Sequence, residues 1–146
     1  MIDLQALHRK MTAWRHDLHA HPEFGFEEHR TAAFVAAKLR EFGLDEVVEG
    51  VGGTGVVATL RRGRSNRAIA LRADMDGLRV QERGTPAWRS QTDGVMHACG
   101  HDGHTTMLLG AARVLAQLVS DAKRKFVQVP LEPMYLREPH ITIPKK

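Results

Sequence analysis

A single cysteine, Cys99, serves the whole 146-residue chain, which excludes an intrachain disulfide and suits a reducing compartment. Aromatic residues are scarce at 5%, and no apolar stretch approaches the about 18 residues that a membrane span needs. The N-terminal run Met1-Ile2-Asp3-Leu4-Gln5-Ala6-Leu7-His8 has no basic region leading into an apolar one, so no signal peptide is expected. The excess of one sign is small too, a net +4 with histidines neutral, drawn from scattered arginines and a basic C-terminal tail. Without lysine and arginine interleaved with aromatics, nucleic-acid binding is not indicated. The expectation is a soluble cytoplasmic protein with no membrane or nucleic-acid partner, long enough to bury a sizeable core as one domain.

Against this plain background, His97-Ala98-Cys99-Gly100-His101-Asp102-Gly103-His104 stands out. Eight residues hold three histidines, an aspartate and the only cysteine, with two glycines that let the backbone turn sharply. Cys99 and His101 are two apart, so their side chains converge on one ion in a turning segment and diverge on a helix. Spacing and donor softness point to metal ligation by Cys99 and His101. The following Thr105-Thr106-Met107-Leu108-Leu109-Gly110-Ala111-Ala112-Arg113-Val114-Leu115 has helical periodicity, which puts the cluster at a helix N-terminus. The partial positive charge there favours a thiolate and an anionic substrate group. Two readings compete with it. Cys99 could be a thiol nucleophile with His101 or His104 as base, or these residues could be ordinary buried and capping side chains.

The rest of the chain supplies a frame. Leu4, Leu7, Met11, Trp14 and Leu18 recur at helical intervals, and Pro22 ends that helix. His19 and His21 then read as a helix-terminal cation and a turn residue in preference to ligands. Glu27-Glu28 open a second helix through Thr31, Phe34, Val35, Leu39 and Phe42, with Gly43 as its stop. Gly52-Gly53-Thr54-Gly55 is a tight turn into a strand, Val56-Val57-Ala58-Thr59-Leu60. A second strand, Ala68-Ile69-Ala70-Leu71-Arg72-Ala73, is expected to pair with it as an antiparallel hairpin, apolar enough to be covered on both faces of a layered sheet. Asp74-Met75-Asp76-Gly77 ends that strand, where two carboxylates suit either an active-site edge or an ordinary turn. Residues 81–93 read as a surface loop, and the proline-interrupted residues 119–146 as a divergent, extended tail.

Three stretches taken together, Arg15-His16-Asp17-Leu18-His19-Ala20-His21-Pro22-Glu23-Phe24-Gly25-Phe26-Glu27-Glu28, Leu71-Arg72-Ala73-Asp74-Met75-Asp76-Gly77-Leu78 and Met96-His97-Ala98-Cys99-Gly100-His101-Asp102-Gly103-His104-Thr105, resemble the aminoacylase-like amidohydrolases among the metallopeptidases. That resemblance implies an α/β fold: a partial three-layer, zinc-peptidase-like catalytic domain with a mixed sheet and flanking helices, spanning residues 1–118. It implies that Cys99 and His101 bind a divalent manganese or zinc ion in a centre that is binuclear in some members. Asp76 takes the place of the acidic residue that supports the metal-bound histidine. The implied reaction is hydrolysis of the amide bond of an N-acyl amino acid or related small amide, with the metal polarising the carbonyl and a glutamate as general base.

Arg79 stands where relatives carry proline, and the resemblance fades after Gln117. The Glu-Glu pair that holds the general base, and the remaining ligands, are not matched, so the chain is expected to be a truncated segment with little or no turnover. Losing a placed general base removes about a hundred- to ten-thousand-fold of rate. The alternatives are a non-catalytic interaction fragment in which Cys99, His101 and His104 hold a structural zinc, or a degenerate product exposing an unpaired sheet edge. A homodimer is compatible with the catalytic and the structural-zinc readings.

Overall fold

The computed structural model describes residues 2–121. Helix α1 (Leu4–Ala20) starts where the Asp3 carboxylate accepts from the Ala6 N–H at 2.9 Å and ends on His21, whose N–H bonds the Leu18 carbonyl. Helix α2 (His29–Glu41) begins at Glu28, as the sequence suggests, but the Glu28 side chain does not cap it. Glu23, five residues before the Glu28 cap, reaches forward so that its carboxylate accepts from the Arg30 and Thr31 N–H groups at 2.8 and 2.7 Å. Glu28 is buried instead and accepts from the Thr54 hydroxyl. The helix stops at Gly43, whose φ of 78° is the left-handed conformation expected just past a helix end.

Strands β1 (Glu46–Val51) and β2 (Gly55–Thr59) form an antiparallel hairpin with Glu46 opposite Thr59 and Val48 opposite Val57. Here the sequence expectation is corrected. The strand at residues 56–60 pairs with the segment before the glycine-rich turn, not with residues 68–73. Positive φ at Gly50, Gly52 and Gly53 folds the chain straight back on itself, so β1 takes β2's free edge first. Residues 68–73 form no strand among the described residues. Ile69 and Leu71 stand 81% and 60% exposed, because a run apolar on both faces becomes a central strand only when neighbours flank it, and the described residues supply none. What results is a mixed helix-and-strand structure with a partial, two-stranded sheet.

Helix α3 (His101–Asp121) closes the core. It lies against α1 and α2, while α2 covers the hairpin. Val35, Leu39 and Leu109 form the buried centre, with Trp14, Phe34, Phe42, Val47, Val56 and Met75 packed around them. Burying a residue such as Leu109 contributes about 1.5–3 kcal/mol, so these contacts fix how α3, and with it the loop before it, sits on the other helices. No helix among the described residues is long and apolar enough to cross a membrane. α3 runs through position 118 to Asp121, so residues 119–121 of the expected extended tail are helical instead, continuing the period of α3, and the rest of that tail, from residue 122 onward, lies outside the described residues.

Candidate metal centre

Backbone pairing draws the three sequence motifs together. Gly77 forms a parallel bridge with Phe24 and donates its N–H to the Glu23 carbonyl at 2.7 Å. Leu78 and Met96 exchange both backbone hydrogen bonds, at 2.8 and 3.0 Å. Gly77 suits this crossing because a Cβ there would crowd its neighbours, standing 3.0 Å from Pro22 Cβ, 3.2 Å from Val95 Cγ1 and 3.3 Å from the Glu23 carbonyl oxygen. Residues 74–76 are thereby set against the start of α3. Thr105 closes the junction by donating its hydroxyl to the Asp74 carbonyl at 2.9 Å.

Within this junction Nδ1 of His101 lies 2.8 Å from Asp76 Oδ1 and 3.1 Å from the Asp76 carbonyl oxygen. Both partners are acceptors, so Nδ1 carries the proton and Nε2 is left with its lone pair outward for a ligand. The side chains of Asp74, His101 and His104 place one donor atom each within 4.8 Å of one another. Two imidazoles and a carboxylate at that spacing fit a divalent cation. Exposed Arg72 pairs with Asp74 Oδ1 at 2.7 Å and is the counter-ion a metal would displace.

Of the sequence-derived site residues, His101 and Asp76 are therefore in contact. Cys99 is exposed, which removes the reading of it as a small buried hydrophobe, and it belongs to no three-donor group among the described residues. It precedes Gly100, whose φ of 86° turns the chain into α3. Asp74 and His104 join His101 instead. The sequence signal for them was present in the Asp-Met-Asp run and in the helical i, i+3 spacing of the two histidines.

A second polar cluster lies beneath the loop and was not anticipated. His19, read from sequence as a helix-end cation, is buried: its Nδ1 is 2.9 Å from Asp102 Oδ2 and its Nε2 3.4 Å from Glu82 Oε1. Arg15 Nε donates to the same Asp102 oxygen at 3.2 Å. Residues 81–93 form the expected surface loop, exposed for most of its length, and Glu82 pins it by also accepting from the Ser90 N–H at 2.6 Å. His21 behaves as expected, donating from Nδ1 to the Asp17 carbonyl at 2.8 Å. His97 is 5% exposed, and neither of its ring nitrogens has a hydrogen-bond partner, nor does Asp102 Oδ1.

Electrostatics follow from this packing. Burial pushes the Asp102 carboxyl upward, but the His19 hydrogen bond, the Gly103 N–H and the charges of His97 and Arg15 outweigh it and hold the group below the usual carboxylate range. The Ser90 N–H, followed by His19, holds Glu82 below that range as well. Desolvation lowers His97 and outweighs the opposing pull of Asp102. The recurring signal is that Asp102, Thr105, Thr106 and Leu109 share the buried face of α3, so a carboxylate stands on a core stripe and needs fixed partners.

Residues 70–131 match the family model described as "Peptidase family M20/M25/M40". Over 116 residues the chain is 53% identical to hippurate hydrolase of Campylobacter jejuni, covering 80% of this chain and 29% of that protein. Over 111 residues it is 50% identical to N-acyl-L-amino acid amidohydrolase of Geobacillus stearothermophilus, covering 76% and 30%. The fold matches the crystal structure of the Bacillus subtilis YXEP protein, described as a dinuclear metal binding peptidase from the M20 family. That match has a TM-score of 0.75 at 37% identity, covering 82% of this chain and 33% of the other. The chain thus spans about 30% of the length of the curated relatives it matches.

Proposed function

We propose that the chain is a member of peptidase family M20/M25/M40 and carries part of the catalytic domain of a divalent-metal-dependent amidohydrolase acting on N-acyl amino acids or related small amides. The observation that carries this reading is the 2.8 Å bond between His101 Nδ1 and Asp76 Oδ1, a carboxylate holding a histidine ring with its other nitrogen free. When bound, a divalent ion would polarise the amide carbonyl and activate water for attack. The chain's own residues do the holding. His101 is the fixed ligand and Asp76 sets its tautomer. Cys99 is the second ligand by motif, and Asp74 and His104 are the further donors nearest His101. Imidazole and sulfur suit zinc, while the carboxylate suits manganese, in one site or two.

Amide hydrolysis also needs a general base. Among the described residues no glutamate joins the three-donor group, and Glu23, Glu28 and Glu82 are committed to the backbone N–H, hydroxyl and imidazole partners above. With only part of a ligand set the chain by itself should bind metal weakly, and without a placed base it should hydrolyse hippurate at least about a hundredfold more slowly than its relatives. The exposed free thiol of Cys99 favours a reducing, cytoplasmic location. The experiment is metal content by mass spectrometry after equilibrium dialysis against manganese or zinc, for the 146-residue chain and for His101→Ala, together with hippurate hydrolysis. Retention of a bound ion by the parent and its loss in the variant is the expected result. Binding of neither metal, or equal binding by both proteins, would remove the metal site, and turnover matching the relatives would place a general base on this chain.

A further inference from the structure

We infer that His19 is a positioning residue for the metal centre, acting through Asp102 to set the rotation of the first turn of α3. This rests on the metal-site reading above and adds a residue to it. Consecutive residues of a helix are about 100° apart around its axis, so His101 and His104 face the junction with Asp74 while Asp102 faces inward. Whatever grips Asp102 therefore fixes the angle at which the two imidazoles are presented. Two groups of α1 do so on a single oxygen, His19 Nδ1 at 2.9 Å and Arg15 Nε at 3.2 Å.

The two grips differ in stiffness. Arg15 has a long side chain that is 53% exposed, whereas His19 is a short ring held between Asp102 and Glu82. It also sits between Leu18 and Ala20, which are 1% and 6% exposed, so its backbone is locked into the core. Asp102 returns the constraint to the helix through its own carbonyl, which accepts from the Thr106 hydroxyl at 2.7 Å. A residue 83 positions before Asp102 thus acts as the stop against which the metal-facing turn rests.

The test uses the full chain labelled with nitrogen-15 at histidine, in the wild type and in His19→Ala, His19→Asn and Leu109→Ala. At an alkaline pH where imidazoles are neutral, the ring shifts of His101 report whether Nδ1 alone carries the proton, with no metal present. The wild type should show that fixed tautomer. His19→Ala should drift toward the mixed tautomers of a free imidazole and bind cobalt(II) about tenfold more weakly. His19→Asn, whose amide nitrogen falls near the Nδ1 position, should restore both. Leu109→Ala, a core truncation well along α3, should lower stability and change neither.

An unaltered His101 signature in His19→Ala, or the same loss in Leu109→Ala, overturns the inference. Should His19→Ala fail to fold, His19→Gln, which keeps a polar end near the Nε2 position but no donor at Nδ1, takes its place, with the same drift expected and its absence overturning the inference. If the wild type binds no cobalt, the metal reading fails, while the His101 shifts still decide the role of His19.

Discussion

Replacing Asp76 by alanine removes the carboxylate that holds Nδ1 of His101 at 2.8 Å, and the consequence for metal affinity can be worked from the geometry. A hydrogen bond to a charged group is worth about 1.5–3 kcal/mol net. Two features place this one at the lower end. The Asp76 side chain is 32% exposed and that of His101 15%, so water recovers part of the loss. The Asp76 carbonyl oxygen also stays within 3.1 Å of the same nitrogen and serves as a weaker second acceptor. A loss of about 1.5 kcal/mol is about a tenfold weaker dissociation constant, within the roughly 10–100-fold seen when such supporting carboxylates are removed. Asp76→Asn keeps an acceptor oxygen but no charge and should fall between the two. The assay is competition for zinc against a chromogenic chelator, with thermal unfolding of the metal-free proteins as the control. Affinity within twofold of the parent for Asp76→Ala, or an asparagine variant weaker than the alanine one, would refute the claim that this bond orients the ligand.

Four further changes probe other parts of the structure. Gly77→Ala pushes a methyl against Pro22, Val95 and the Glu23 carbonyl, none of them a flexible side-chain end, and should cost about 1–3 kcal/mol in urea unfolding; no loss would mean that the three motifs do not meet so tightly. Leu109→Ala should cost about 2–5 kcal/mol, since that side chain is 2% exposed at the centre of the core. Glu82 has its carboxyl held down by the Ser90 N–H and His19, so it stabilises the fold above the ordinary carboxylate range and that contribution is lost as pH falls through its lowered folded value. Glu82→Gln should flatten the acid side of the stability profile, and an unchanged slope would contradict the assignment. Arg72→Ala removes a positive charge from beside Asp74 Oδ1 and should tighten metal binding. The expected gain is about 1 kcal/mol for a charge roughly 8 Å from a divalent ion in water, shrinking at high salt, and weaker binding would show that Arg72 organises Asp74 rather than competing for it.

The three helices could be read from the sequence because helical periodicity is local: the intervals from Leu4 to Leu18, from Thr31 to Phe42 and from Thr105 onward need no knowledge of what they pack against. The His101–Asp76 relation was reached through the motif resemblance and coincides with a direct contact in the structure. Strand pairing is not local. Residues 68–73 carry a strand's composition, but pairing depends on neighbours, and β1 was overlooked because Glu46, Glu49 and Gly50 interrupt the apolar pattern that its valines would otherwise show. His19 shows the same limit most sharply. A solvated histidine at a helix end and a buried one between two carboxylates are the same letter in the same place, and only partners 63 and 83 residues away distinguish them. Asp102 could have broken that degeneracy, since a carboxylate on the Thr105, Thr106 and Leu109 face must be buried with a cationic or donor partner or not be buried at all. Arg15 and His19, four apart on one face of α1, are the pair that α1 offers when it lies against α3. The buried network was therefore open to inference from charge and periodicity taken together, though from neither of them alone.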